Sequence, residues 1–346
     1  MASEIKVAVL GLGPLGIAIC KGLLDKKGMK IVGAIDIARD LVGKDLGGVL
    51  GLDRTLDVSV TNEANRLLAK TKPDIAIIAT KSSLNAIHPQ LTICARNRVN
   101  VISTCEELSY PYFRHADLAK QIDRMAKKHD VTILGTGINP GYLMDALPIT
   151  LTGACLKVEK ITVTRNMDSS KRRIPFQKKI GTGLTSEDFR KMIDDKIITG
   201  HVGLAESVAM IAGALGWKLD EIKEFPPEPF IAQKTIVTPY TTVKPGCVTG
   251  LKSVAYGIKS GKPVIVLEFH AHADLDEEFD AISIEGVPNV NQKIIGGVHG
   301  DTGTVAVILN MIPKVLNAEA GLVTMKDLPL PSVLSEDVRV YLRRRR

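Results

Sequence analysis

VAVLGLGPLGIAIC, Val7–Cys20, reads as an apolar strand that runs into a glycine turn and then into a helix. One glycine is enough for a tight turn that needs a positive φ. Three of them, Gly11, Gly13 and Gly16 in G-x-G-x-x-G spacing, imply that a bulky group comes close to the backbone. In a dinucleotide-binding βαβ unit the first makes the turn, the second admits a pyrophosphate, and the third lets helix and strand pack closely. The phosphates then face the unpaired N–H groups of the helix N-terminus. Gly11, Gly13, Pro14, Leu15 and Gly16 are therefore the candidate phosphate turn. The next strand, MKIVGAID, ends on Asp36, a carboxylate placed to accept hydrogen bonds from a ribose diol, which favours NAD. Arg39, three residues on, could pair with a 2′-phosphate, so NADP stays open.

Working outward, the chain to about residue 140 alternates β-rich and helical runs. IKVAVLG, MKIVGAID, PDIAIIAT, VNVIST and VTILGTG are strands; GIAICKGLLDKKG, NEANRLLAKTK, HPQLTICARNR and HADLAKQIDRMAKKHD are helices. Strands apolar almost throughout, with helices between them, form a parallel sheet covered on both faces. From about 150 the pattern changes. LKVEKITVTRNM, PGCVTGLKSVAYGI, PVIVLEFHAHAD and DAISIEGVPNV alternate apolar and polar residues, as strands with one solvated face do. The expected class is α/β: an N-terminal Rossmann parallel sheet plus a C-terminal α+β domain with a mostly antiparallel sheet. The expected boundaries are 1–148 for the first, 149–300 for the second, and 301–346 for an apolar helix returning to the Rossmann domain, with a tail.

At 346 residues the chain is long enough for two cores, and 45% hydrophobic with 24% charged residues is an ordinary globular balance. No apolar run approaches the roughly 18 residues that span a bilayer. MASEIKVAVL lacks the basic and apolar regions of a signal peptide, so a cytoplasmic protein with no membrane partner is expected. Five scattered cysteines, with no close pair and no H-E-x-x-H, argue against a disulfide framework and against a metal site. Of the net charge of +7, four charges come from Arg343–Arg346. No basic stripe interleaved with aromatics suggests a nucleic-acid partner.

A nicotinamide site belongs outside the carboxyl ends of the strands. Three segments end there: ATKSS with Thr80, Lys81, Ser82 and Ser83; STCEELSYP with Thr104 and Cys105; and GTGINPGYLMD with Asn139 and Pro140. Within the second, Glu106 and Glu107 are candidate proton acceptors. Adjacent residues on a turn point in different directions, so one of the two is expected to face substrate.

The set GLGPLG, ATKSS, TCEELSYP, GTGINPGYLMDALP, RRIPFQKKIGTGLT, GHVGLAES and GGVHGDTGT resembles the 2,4-diaminopentanoate dehydrogenases and related native amine dehydrogenases. Their N-terminal domain is in turn similar to that of dihydrodipicolinate reductase. The resemblance implies NAD(P)-dependent oxidative deamination of a small amine to a ketone and ammonia, in a homodimer whose second domain supplies the dimer sheet. It places a glutamate after the TC beside the reacting amine. More distant sugar dehydrogenases carry a catalytic lysine where Glu107 falls, which tilts the choice toward Glu107. A diamino acid carries a carboxylate, so the second domain is expected to hold substrate through Arg173, Asn166, Gln177, Thr182, His201 and His299, with Pro140 beside them. His270 and His272 alternate on a strand and read as structural. The alternatives are a reductase of another small carbonyl or imine, and a dinucleotide sensor without chemistry.

Overall fold

The computed structural model describes residues 3–343 except 173 and 274. In chain order it begins with β1 (Ile5–Leu10), α1 (Pro14–Leu24), β2 (Met29–Ile35), α2 (Leu46–Val49) and β3 (Val60–Thr61). There follow α3 (Ala64–Thr71), β4 (Ile75–Ile78), α4 (Leu84–Arg96), β5 (Asn100–Ser103), α5 (Ala116–His129) and β6 (Thr132–Gly135). Next come α6 (Ala146–Thr152), β7 (Lys157–Asp168), α7 (Ile174–Lys179), α8 (Ser186–Asp194) and α9 (Leu204–Ala214). Then follow β8 (Glu221–Glu224), β9 (Glu228–Ile231), β10 (Ile236–Val237), β11 (Thr242–Val243), β12 (Val248–Lys259) and β13 (Lys262–His272). The last elements are β14 (Phe279–Val287), β15 (Val290–Ile295), α10 (Gly300–Leu316) and β16 (Gly321–Val323). They divide into two compact units, Met1–Tyr142 with Gly300–Arg346, and Leu143–His299.

In the first unit the sheet order is β16-β6-β5-β4-β1-β2-β3, and all its strand pairs are parallel. β4, IAII, is buried at all four positions, which a central strand sandwiched between helix layers demands. One such layer packs α4 and α5 onto the sheet through Leu91, Cys94, Ala119, Ile122 and Ala126. On α10, Val307, Ile308 and Ile312 are buried, and the helix packs against α1, β5 and β6. Gly22 lets α1 and α10 approach, since a Cβ there would lie 2.8 Å from Leu309 Cδ1.

In this unit two short strands escape the sequence pattern. β3 and β16 have two and three residues, too few for any periodicity, and exist because β2 and β6 offer free edges to pair with. α4 starts at Leu84, four residues ahead of HPQL, and the basic run before Gly181 includes α7.

In the second unit the sheet order is β15-β14-β7-β13-β12-β8, with β9 also on β12. Among the described residues of this sheet, only β13 with β7 is parallel. β7 alternates strictly: Ile161, Val163, Arg165 and Met167 are buried and their neighbours half-buried. The buried face of β12 and β13 is covered by α9, with Val208 against Gly257. No helix among the described residues is long and apolar enough to cross a membrane.

Candidate active site

The glycine turn shows what each small residue does. Gly11 has φ +92° and a Cβ would meet Ala79 O at 2.5 Å, so both conformation and space demand glycine. At Gly16 a Cβ would lie 1.9 Å from Gly11 O. Gly13 is different: its φ is −67°, which any residue adopts, and nothing lies within 4 Å of its Cβ position. The protein itself gives no reason for glycine there. Open space over the N-terminus of α1 is what a pyrophosphate needs. Pro14 sits in the first turn without a donor to lose, and no acidic side chain or side-chain cap competes for the free N–H groups. Leu15 follows, half-buried.

Asp36 is tied into this turn. Its Oδ2 accepts from Leu12 N–H at 2.6 Å and its Oδ1 from Ala38 N–H at 2.9 Å, leaving lone pairs for hydroxyl donors. Ile37 beside it, an apolar side chain that the sequence pattern did not single out, is 86% exposed. Arg39 is exposed nearby.

At the ends of β4 and β5 the backbone is cross-linked. Thr80 Oγ1 donates to Gln90 Oε1 at 2.8 Å, and Thr104 N–H donates to Ile78 O at 3.0 Å. Lys81 is exposed. Ser82 O accepts both Cys105 Sγ, at 3.0 Å, and Glu107 N–H, at 3.3 Å. Burial pushes the Cys105 thiol up to about 12, so it is no thiolate nucleophile. Ser83 is the N-cap of α4, yet its side chain makes no capping bond. Glu107 supplies it instead: Leu84 N–H donates to Glu107 Oε2 at 2.7 Å, and His115 Nε2 lies 3.1 Å from the same oxygen. Glu106 and Glu107 both sit on a single 3₁₀ turn, Glu106–Leu108, not in an α-helix. That turn packs on β6, where a Cβ on Gly135 would lie 2.4 Å from the Leu108 backbone. Beyond β6, Asn139 and the buried Pro140 lie in a tight turn closed by Gly141, at φ +127°.

In the second unit, a cavity of about 130 Å³ opens at the carboxyl end of β7, lined among others by Arg165, Asn166, Arg172, Glu278, Asp280 and His299. Of the residues expected here, it collects Asn166 and His299. Register builds it: Arg165 is paired across the sheet with Phe269 on one side and Asp280 on the other. Arg165 is 3% exposed; Nη2 donates to Val298 O, Nε lies 3.6 Å from Asp280 Oδ1, and Nη1 has no hydrogen-bond partner. Asp280 Oδ2 accepts from Val298 N–H at 2.8 Å, and Oδ1 makes no hydrogen bond. Burial pushes the guanidinium down and the Asp280 carboxyl up from their usual ranges, each opposed by the other's charge.

The remaining expected residues spread out. His201 stacks on Phe269 with ring centroids 4.2 Å apart, next to Arg165 in register. Gln177 is fully buried and donates to Ser170 O and Arg172 O, holding the turn that carries Arg172. Thr182 Oγ1 donates to Thr249 O at 3.4 Å inside the unit. Arg173 lies outside the described residues. His270 faces Glu268 and Phe230 on the other side of the sheet.

A glycine turn open to a ligand at the edge of a seven-stranded parallel sheet, with acidic groups at a neighbouring strand end, is the framework of a dinucleotide-dependent oxidoreductase. Residues 142–344 match the model of the 2,4-diaminopentanoate dehydrogenase C-terminal domain, and residues 5–109 that of the dihydrodipicolinate reductase N-terminus. The chain belongs to the 2,4-diaminopentanoate dehydrogenase family. It is 33% identical over 341 residues to the 2,4-diaminopentanoate dehydrogenase of Acetoanaerobium sticklandii, covering 97% of this chain and 96% of that one. An amine dehydrogenase of Streptomyces virginiae is 24% identical over 353 residues, covering 94% and 96%. The structure of an amine dehydrogenase from Mycobacterium smegmatis matches with a TM-score of 0.83 at 28% identity, covering 96% and 98%.

Proposed function

We propose that this protein catalyses NAD-dependent oxidative deamination of a small amine that also carries an α-amino acid group, of the 2,4-diaminopentanoate kind. The observation that carries the substrate class is Arg165 with Asp280: two buried, opposite charges, each with an atom lacking a hydrogen bond, on one cavity wall. A guanidinium matches a carboxylate and a carboxylate matches an ammonium, so the pair suits a zwitterionic end.

The Gly13 opening fits a dinucleotide, which when bound takes the hydride from the amine carbon. The protein's share is proton handling. An ammonium has no lone pair to stabilise the developing iminium, so a base must first take its proton. Of the two expected glutamates we assign the base to Glu106, and to Glu107, whose Oε2 accepts from Leu84 N–H and meets His115 Nε2, a supporting role beside it. The Glu106 carboxylate removes the ammonium proton and passes it to solvent; the carboxylate so restored stabilises the iminium by charge, takes a proton from the attacking water and returns it to the departing amine. Collapse of the carbinolamine releases ammonia and leaves the ketone. Following cofactor absorbance with diamino acids, simple amines and hydroxy acids tests the reading. Turnover of hydroxy acids alone would overturn it.

Asp36 supports NAD over NADP, since its charge repels a 2′-phosphate. Asp36→Ser should shift the ratio of kcat/KM for the two cofactors toward NADP by roughly ten- to a hundredfold, with some loss of NAD affinity because the bond from Leu12 N–H goes too. An unchanged ratio would place Asp36 away from the ribose. Gly13→Ala separates ligand binding from folding. Stability should change by no more than about 1 kcal/mol, the range for an N-cap position, while NAD affinity falls roughly ten- to a hundredfold from overpacking. Gly16→Ala should instead lower the melting temperature. We further assign the active form to a homodimer through the second unit's sheet, where Thr162, Thr164, Ala281 and Ser283 line a shallow cleft. The free, dispersed cysteines fit a reducing cytoplasm.

A further inference from the structure

The pairing of Glu107 with His115 differs from surface ion pairs of the first unit. Surface pairs such as Lys127–Asp123 and Arg66–Glu63 join residues of one helix or its cap. This one joins three elements. Both side chains are mostly buried, at 24% and 20% exposure. Glu107 Oε2 accepts from Leu84 N–H, the first residue of α4, and meets His115 Nε2, the N-cap residue of α5. Glu107 N–H donates to Ser82 O. One residue thus grips the β4–α4 turn at both Ser82 and Leu84. α4 has no cap from its own Ser83 side chain, and Glu107 satisfies the N–H of its first residue instead.

We infer that His115 and Glu107 are positioning residues for the cofactor. The imidazole holds the carboxylate, the carboxylate closes the α4 turn, and the turn sets the Thr80–Ser83 backbone at the edge where the nicotinamide end binds. Nothing in this series of bonds passes a proton to substrate. The inference rests on the cofactor reading above.

The test compares His115→Ala with His115→Gln, whose amide N–H can take the place of Nε2–H, and Glu107→Ala with Glu107→Gln, which keeps an acceptor. His115→Ala should raise the Kd for NADH, read by its fluorescence, by roughly tenfold, the effect of one missing charge-assisted bond. kcat at saturating cofactor should fall far less, and His115→Gln should recover most of the affinity. Hydrogen exchange at the Leu84 amide, measured without ligand, should speed up in both Ala variants and slow again in both Gln variants. Failure of the wild-type protein to bind NADH or NADPH would overturn the proposed function, whatever Leu84 shows. Wild-type binding with unaltered affinity in His115→Ala would overturn this inference alone. So would a general loss of stability in which His115→Gln is no better than His115→Ala. If Glu107→Ala does not fold, the His115 pair still decides.

Discussion

Glu106→Gln should lose roughly 10²–10⁴ in kcat, the range typical of a positioned general base. The amide keeps the size and the acceptor oxygen of glutamate but cannot take a proton at any working pH. The loss should be confined to steps that move protons. NADH affinity should be close to wild type, since the cradle at Gly13 and the Asp36 carboxylate lie at other strand ends. With the wild-type enzyme, oxidative deamination should quicken as pH rises toward about 10, where an alkyl ammonium gives up its proton in solution. Part of that gain should persist in Glu106→Gln, because free amine then reaches the site without help. Adding this variant to the Glu107 series gives a sharp contrast. Removing the base at Glu106 lowers kcat and no amide restores it. Releasing the Glu107 grip on α4 weakens cofactor binding, and there the amide does restore it. If Glu106→Gln turns over like wild type while Glu107→Gln does not, the two roles are exchanged, and the lysine position of the sugar dehydrogenases was the better guide.

The ease of reading the nucleotide half and the difficulty of reading the substrate half have one physical origin. Gly11, Gly13, Gly16 and Asp36 work through the backbone and local chain direction, so spacing along the sequence carries their meaning. The motif gives each glycine a separate task, and the geometry supplies the atomic reason. Gly11 and Gly16 are required by the fold's own atoms, and only Gly13 is open. Glu106 and Glu107 were legible as a pair but not as individuals. The contacts of Glu107 come from Leu84, across a turn from another strand, and from His115, eight residues on, and adjacency in sequence shows neither. The substrate half is built by cross-strand register, which sequence does not display. Gln177, expected at the substrate, instead donates through Nε2 to the Ser170 and Arg172 carbonyls. The buried arginine is instead in ITVTRNM. The signal was there: in strict alternation from Ile161, position 165 falls on the apolar face. An arginine in that register is buried, and a buried arginine needs a reason. Asp280 is its partner through the pairing of β14 with β7, which spacing along the chain does not display.

Replacing that arginine should therefore change which amines the enzyme accepts. Arg165→Met alone leaves Asp280 buried beside an apolar chain, and breaking a buried pair in this way costs about 3–5 kcal/mol. The single variant would then report stability as much as recognition. Arg165→Met with Asp280→Asn removes both charges and keeps an oxygen on residue 280 to accept from Val298 N–H. Such exchanges of a whole buried pair are often close to neutral for folding. For a diamino acid, kcat/KM should fall roughly 10²–10³, because a desolvated carboxylate loses its charged partner. For a simple amine of similar length, the apolar wall should leave kcat/KM unchanged or raise it. The ratio between the two substrates is the quantity to measure, since it cancels any common loss of active protein. Cofactor affinity serves as an internal control, because the glycine turn and Asp36 belong to the other unit. A ratio that stays put in a folded, NADH-binding double variant would mean that the carboxylate is held elsewhere. Arg172 would then be the next residue to replace, as it lines the same cavity.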